Sequence, residues 1–110
     1  MINAGRLDRL VTIERATETR DDLNAPVKTW AEHATIWASR EDVSDAELVA
    51  AGELGASLAS RFIIRRSSDT ETITPRDRLV HDGATWNIQA VREKRDAPRQ
   101  FLEIRAAREV

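Results

Sequence analysis

Apolar and polar residues alternate along most of the chain, and a period of two is typical of a β-strand with one buried face. In the segment RLVTIER, Val11 and Ile13 point to one side while Thr12 and Glu14 point to the other. One long or bulged strand is predicted over residues 27–40 and a short strand over residues 61–66. Two further segments each have a predicted apolar face, the first formed by Trp86, Ile88 and Ala90 and the second by Leu102, Ile104 and Ala106. The pattern therefore predicts five or six strands.

Short turns join most of these strands. Asp82-Gly83 readily takes the positive φ values of a two-residue hairpin turn. In the first turn Asn24 suits a left-handed position, and Pro26 restarts an extended chain. Antiparallel neighbours with one long excursion between strands two and three predict a mainly β fold, a small antiparallel β-barrel or sandwich. A chain of 110 residues forms one domain, residues 1–110.

The excursion covers residues 41–60, EDVSDAELVAAGELGASLAS, which contain no Lys or Arg. Ser44 and Glu47 form a capping-box pair that predicts the start of a helix. Gly52 or Gly55 would end it after two or three turns, too short to be stable alone. We therefore expect a long, partly helical loop that either docks on its own barrel or orders against a partner. The acidic residues of this loop are Glu41, Asp42, Asp45, Glu47 and Glu53.

The overall composition offers no general attraction to polyanions. The chain carries 17 basic and 19 acidic residues, a formal net charge of -2, so contact with nucleic acid or an anionic membrane would need a local patch. Cysteine is absent, which excludes disulfides and thiolate metal sites. The N-terminal residues lack the apolar run of a signal peptide, and no window approaches the roughly 18 apolar residues of a membrane span. We expect a soluble protein that is not exported and has no membrane partner.

Candidate catalytic chemistry is sparse. His33 and His81 are far apart, and neither has the spacing of a metal site. The four glycines never approach a phosphate-binding spacing, and the serine-acid segment at 67–69 has no nucleophile elbow around it. We expect no enzyme activity, no cofactor and no metal.

Binding of single-stranded nucleic acid is an alternative function, because small barrels include such proteins. Arg61, Arg65 and Arg66 cluster near one strand, whereas acids are interspersed among the basic residues of 92–99. The three tryptophans lie in alternating apolar patterns and are predicted to be core residues, which leaves few aromatics for base stacking.

The order and spacing of the segments resemble the head-closure proteins of long-tailed bacteriophages, also called stoppers or head-tail joining proteins. The resemblance covers nearly the whole chain. In this family the first turn often reads Asp-x-x-Gly, whereas here Asp21 is followed by Asn24. The positions that carry the resemblance are Gly5, Leu7, Asp8, Arg20, Asp21, Val27, Trp30, Trp37, Ala38, Ile64, Arg65, Asp77, Arg78, Gly83, Trp86, Ile88, Leu102, Glu103 and Ile104.

The resemblance implies a structural virion protein of a phage, a prophage or a gene-transfer agent. Such proteins are small β-barrels that form a homo-oligomeric ring, usually twelvefold, below the adaptor ring on the portal vertex. The ring closes the DNA exit channel and presents the surface to which a tail terminator or tail protein is joined. Assembly would take place in the host bacterial cytoplasm. A tail terminator, which is also a small ring-forming protein, stays open as an alternative.

The resemblance also implies roles for the charged residues. The loop between strands two and three faces the channel or neighbouring subunits, so its five carboxylates would repel genomic DNA as it passes without sequence preference. Arg61, Arg65 and Arg66 would then lie at a subunit boundary or close to the DNA.

Overall fold

The computed structural model describes residues 7–43, 57–97 and 99–109. Within them, antiparallel strands form a closed barrel in the order β1-β2-β3-β6-β5-β4. The mainly β prediction is confirmed, and of the two predicted architectures the barrel is the one observed. No helix in the described ranges is long and apolar enough to cross a membrane. The strands are β1 (Arg9–Arg20), β2 (Pro26–Asp42), β3 (Ser57–Arg65), β4 (Arg78–His81), β5 (Ala84–Glu93) and β6 (Phe101–Glu109), and a 3-10 turn, Thr70–Thr72, precedes β4.

The barrel interior holds the apolar faces predicted from the alternation. Val11 and Ile13 of β1 are fully buried. Phe62 of β3 packs edge-on against Trp86 of β5, with ring centroids 5.5 Å apart. The predicted inward face of β6 is confirmed, because Leu102, Ile104 and Ala106 are all buried. These residues belong to one apolar cluster inside the barrel, and a second, smaller cluster is formed by Leu7, Ile63 and Phe101.

A bulge in β5 changes the face predicted for that strand. Ile88 pairs with Ala106 and Ala90 with Arg105, so Gln89 is an extra residue in the ladder. An extra residue reverses the alternation that follows it. Trp86 and Ile88 share the buried face as predicted, but Val91 rather than Ala90 continues it against the core.

A second bulge, in β2, places two tryptophans on the outer face rather than in the predicted core. Between its pairs with Ile13 and Glu14, strand β2 has one extra residue, His33. As a result Trp30 and Trp37 both lie on the outer face of the barrel, opposite Ala16 and Leu10. Trp30 is half-buried, and Trp37 is 56% exposed. The prediction that all three tryptophans are core residues is therefore right only for Trp86.

Both predicted turns are confirmed. Asp82 and Gly83 have φ values of 52° and 78°, which are the left-handed values of a two-residue hairpin, and the flanking residues pair across it. Asn24 has φ 62° in the turn between β1 and β2. Asparagine tolerates this conformation because its short polar side chain can bond locally.

The connection between β2 and β3 is shorter than the predicted loop 41–60. Glu41 and Asp42 are the last residues of β2, and β3 already begins at Ser57. The alternation continues through these residues, and Asp42 pairs with Ser60 across the two strands. The predicted helix falls within residues 44–56, which lie outside the described residues.

Candidate assembly surfaces

The barrel closes along a short seam between β1 and β4. Only Thr12, Ile13 and Glu14 of β1 pair with β4. Just beyond this seam the guanidinium of Arg15 donates two hydrogen bonds of 3.0 Å to the carboxylate of Asp77. Asp77 is buried, and its carboxylate also accepts a 2.9 Å bond from the Thr74 amide. This ion pair holds the segment before β4 against β1.

Burial of the Asp77 carboxyl raises its pKa, because water no longer solvates the charged form. The hydrogen bonds from Arg15 and from the Thr74 amide act in the opposite direction and prevail, so the pKa lies below the ordinary value of 3.8. The carboxylate is therefore ionised at neutral pH and serves as a structural anion.

A second charged pair lies on the outside of the same seam. The Nε of Arg78 donates a 2.6 Å bond to Glu14, its register partner on β1. The Arg78 guanidinium also covers the ring of Trp30, 4.2 Å from its centroid. This stacked arginine explains why Trp30 is half-buried although it lies on the outer face.

The predicted acidic residues Glu41 and Asp42 lie at one end of the barrel. Glu41 and Arg61 are register partners, and their charged groups come within 3.9 Å. Asp42 accepts hydrogen bonds from Ser60 at 2.5 Å and from Arg40 at 2.9 Å. The bond from Ser60 is the main cause of a pKa below the ordinary value, and the bond from Arg40 adds to it, while burial opposes both. Asp45, Glu47 and Glu53 lie outside the described residues.

Two arginines close this end of the barrel from within. The guanidinium carbons of Arg40 and Arg108 lie 5.0 and 5.2 Å from the centroid of the Trp86 ring. Trp86 is 1% exposed, and its indole nitrogen has no hydrogen-bond partner. Cation-π contacts therefore seal the apolar core on the side where β2 leads into the β2–β3 connection.

The three arginines predicted to act together do not form one patch. Arg61 and Arg65 lie four residues apart on β3, roughly 13 Å along the strand. Arg65 is exposed, with its guanidinium 5.9 Å from the Phe101 ring. Arg66 follows the strand, and its guanidinium bonds Glu71 at 2.6 Å and Glu93 at 3.0 Å. The three arginines are close in sequence, but the fold places their guanidinium groups in different surroundings.

The sequence did not reveal two exposed surfaces. The first is the outer part of the β1–β2 hairpin, residues 17–29, which are all exposed; we refer to it as the hairpin arm. The second is the pair of Leu10 and Trp37, which face each other across β1 and β2 and are 49% and 56% exposed. Alternation alone could have suggested the second, because Leu10 precedes the inward-facing Val11.

No arrangement typical of catalysis is present in the described part of the chain. No group of three or more His, Asp or Glu side chains is placed to hold a metal ion there. The Nε2 of His33 lies 2.7 Å from the Thr72 hydroxyl, and the Nδ1 of His81 lies 3.4 Å from the Leu10 carbonyl oxygen. Each histidine thus contacts a residue of another segment of the barrel, which is a structural role.

Comparisons with known proteins identify the family. A solution structure of a protein from Shigella flexneri 2a is similar, with a TM-score of 0.71 and 30% identity over 98% of this chain and 96% of that chain. A chain of a native gene transfer agent virion particle shares the fold, with a TM-score of 0.65 and 22% identity over 94% of each chain. No curated protein matches the sequence significantly. The family model described as phage head completion protein matches residues 2–110, and the chain therefore belongs to the phage head completion protein family.

Proposed function

We propose that this protein is the stopper of a head-tail neck. In this role copies of the barrel form a ring, usually twelvefold, below the adaptor on the portal vertex. The ring closes the DNA exit channel and carries the surface to which the tail is joined. Membership of the phage head completion family over residues 2–110 is the observation that carries the proposal.

The shape of the subunit supports assembly into a ring. A closed ring needs two different side surfaces on each subunit, because each copy meets its neighbours head to tail. Here the hairpin arm projects from one end of the barrel, and the Leu10–Trp37 pair lies on its wall. The molecule is elongated, with extents of 52, 35 and 22 Å. Two distinct exposed surfaces on an elongated subunit suit a heterologous contact.

The acidic β2–β3 connection is the part that we assign to the channel. Glu41 and Asp42 lead into it from the end of β2, and the sequence adds Asp45, Glu47 and Glu53 with no basic residue. Carboxylates lining a channel repel the phosphates of DNA, which keeps the genome from adhering as it passes. Arg61 offsets one of these charges within the subunit, next to Glu41.

Deletion of residues 45–56 tests this assignment. The ends of β2 and β3 are already paired, because Asp42 opposes Ser60 and the Val43 amide donates to the Ala59 carbonyl. The shortened chain can therefore close as a tight hairpin. We expect the variant to fold and to join particles, and we expect those particles to lose DNA, measured as nuclease-sensitive genome per particle.

A full-length variant with Asp45→Asn, Glu47→Gln and Glu53→Gln is the matched control, since it keeps the loop and removes its charge. We expect it to retain DNA but to eject it more slowly. Particles that hold their genome normally after the deletion would refute the assignment of this connection to the channel.

Binding of single-stranded nucleic acid is the alternative that the exposure of Trp37 favours, because stacking needs exposed aromatic rings. Salt-dependent binding of an oligonucleotide at micromolar protein would support it. A double substitution, Trp37→Ala with Arg65→Ala, would then abolish the binding. We expect no shift of the oligonucleotide at low salt, since a single uncovered ring does not form a stacking platform.

A further inference from the structure

A small groove lies beside the exposed Trp37. It has a volume of about 380 Å³, and Leu7, Trp37 and Arg65 contribute to its walls. One rim is an unpaired strand edge, because β2 pairs with β3 only from Ala38 onward. Apolar side chains and free backbone groups together make this groove suited to a protruding segment of protein.

The tip of the hairpin arm is a hydrogen-bonded turn that carries one exposed apolar side chain. Leu23 is 89% exposed at the tip. The carboxylate of Asp21 accepts hydrogen bonds of 2.9 Å from the amides of both Leu23 and Ala25. The guanidinium of Arg20 donates a 2.9 Å bond to the Asn24 carbonyl. A turn fixed in this way presents Leu23 at little further entropic cost on binding.

The tip and the groove also carry opposite charges. Asp22, next to Leu23, is exposed and makes no ion pair within the described residues. Arg65 on the groove wall is exposed, and no described carboxylate lies within ion-pair distance of it. Complementary charges of this kind set the orientation in which two surfaces meet.

The tip cannot reach the groove of its own chain. Residues 26–35 of β2 separate them, a span of roughly 30 Å along a paired ribbon. An arm tip that occupies this groove must therefore come from a second copy of the chain. We propose that the hairpin arm of one subunit inserts Leu23 into the groove beside Trp37 of the next subunit, with Asp22 facing Arg65.

The inference rests on the proposed ring and names the contact that builds it. Because the tip and the groove are different surfaces, the contact is heterologous and propagates from copy to copy. It uses one apolar side chain and one exposed charge pair, so it is weak alone. Association would then become strong only when an adaptor ring holds neighbouring subunits together.

Cysteine cross-linking tests the contact against a clean background, because the chain contains no cysteine. The test variant carries Ala25→Cys, at an exposed tip residue that leaves Leu23 and Asp22 in place, and Thr35→Cys on the groove wall. The control carries Ala25→Cys and Thr85→Cys, and Thr85 is an exposed residue of β5 on the opposite side of the barrel. Oxidation is applied to the concentrated protein and to assembled particles.

We expect the test variant to form a ladder of covalent multimers and the control to form at least tenfold less. In the test variant, the further substitution Leu23→Ser should reduce the ladder about tenfold, the effect of losing one buried leucine. In the test variant, Arg65→Asp should reduce the ladder about two- to fivefold, and adding Asp22→Arg should restore it.

Four outcomes would overturn the proposal. Equal cross-linking of test and control would show that the tip has no preference for the groove. Products that stop at the dimer would indicate reciprocal exchange of arms rather than a propagating contact. A cross-link from residue 25 to a different particle protein would show that this protein, and not a second copy of the chain, receives the tip. Particles that contain the protein as a ring but show no ladder would reject the contact while leaving the proposed function intact.

Discussion

The substitution Asp77→Asn tests whether the ion pair with Arg15 holds the barrel closed. The side chain of Asp77 is 2% exposed, and its carboxylate accepts three hydrogen bonds, two from Arg15 and one from the Thr74 amide. An asparagine keeps the shape and one acceptor oxygen but turns an NH₂ group toward a donor. Each bond to a charged group contributes about 1.5–3 kcal/mol, and breaking a fully buried pair costs about 3–5 kcal/mol.

The Arg15 side chain is 42% exposed, so water recovers part of what it loses. We therefore expect the free energy of unfolding to fall by about 2–3 kcal/mol, with a drop of roughly 10 °C in Tm. Urea unfolding followed by tryptophan fluorescence measures this. Asp69→Asn, at an exposed aspartate without a side-chain hydrogen bond, is the control and should change the stability by less than about 0.5 kcal/mol.

A double-mutant cycle identifies the cause. In a background that carries Arg15→Met, Asp77→Asn should cost clearly less than in the wild type, because the charge that it leaves unpaired is gone. A loss below about 0.5 kcal/mol for Asp77→Asn, or the same loss in both backgrounds, would refute the view that this pair closes the seam.

The pH dependence of the stability provides an independent test of the ion pair. Because the pKa of Asp77 in the folded barrel lies below its ordinary value of 3.8, the unfolded chain takes up this proton more readily. The ionised carboxylate therefore contributes stability above about pH 4, and this contribution is lost as the pH falls through the folded pKa. The stability difference between the wild type and Asp77→Asn should shrink over that acid range, and a difference that stays constant down to pH 2 would contradict the assignment.

Two further substitutions test the core and the hairpin turn. Trp86→Ala should lower the free energy of unfolding by about 3–5 kcal/mol in chemical denaturation, since the ring is 1% exposed and packs against Phe62; a loss under 1.5 kcal/mol would contradict its central position. Gly83→Ala should cost about 1–2 kcal/mol by thermal melting, because φ is 78° and no atom lies near the added methyl group. Asp82→Gly, at φ 52°, should stay within about 0.5 kcal/mol, and an equal loss in both variants would argue against backbone strain as the cause.

The strands and turns could be predicted from the sequence because they depend on local chemistry. Alternation identified the buried faces of β1 and β6, and the Asp82-Gly83 pair identified its hairpin. These signals fail where a bulge shifts the alternation. The extra residues His33 and Gln89 reverse the faces that follow them, and nothing in the neighbouring residues marks their positions.

The assembly surfaces could be predicted less well, because they depend on contacts between distant segments. Arg15 and Asp77 are brought together only when β1 and β4 close the barrel. The exposure of Trp37 follows from the register between β1 and β2, and tryptophan is more often buried. Membership of the family was accessible from the order of motifs, whereas the separate surroundings of Arg61, Arg65 and Arg66 required the fold.

The most direct measurement of the proposed role is electron cryo-microscopy of the neck of particles that contain this protein. We expect a closed ring of copies of this barrel between the adaptor and the tail, with the end of the barrel that carries Glu41 and Asp42 facing the DNA channel. Particles whose neck is complete without this barrel, or which carry it on the tail tube rather than at the head vertex, would contradict the assignment as a stopper.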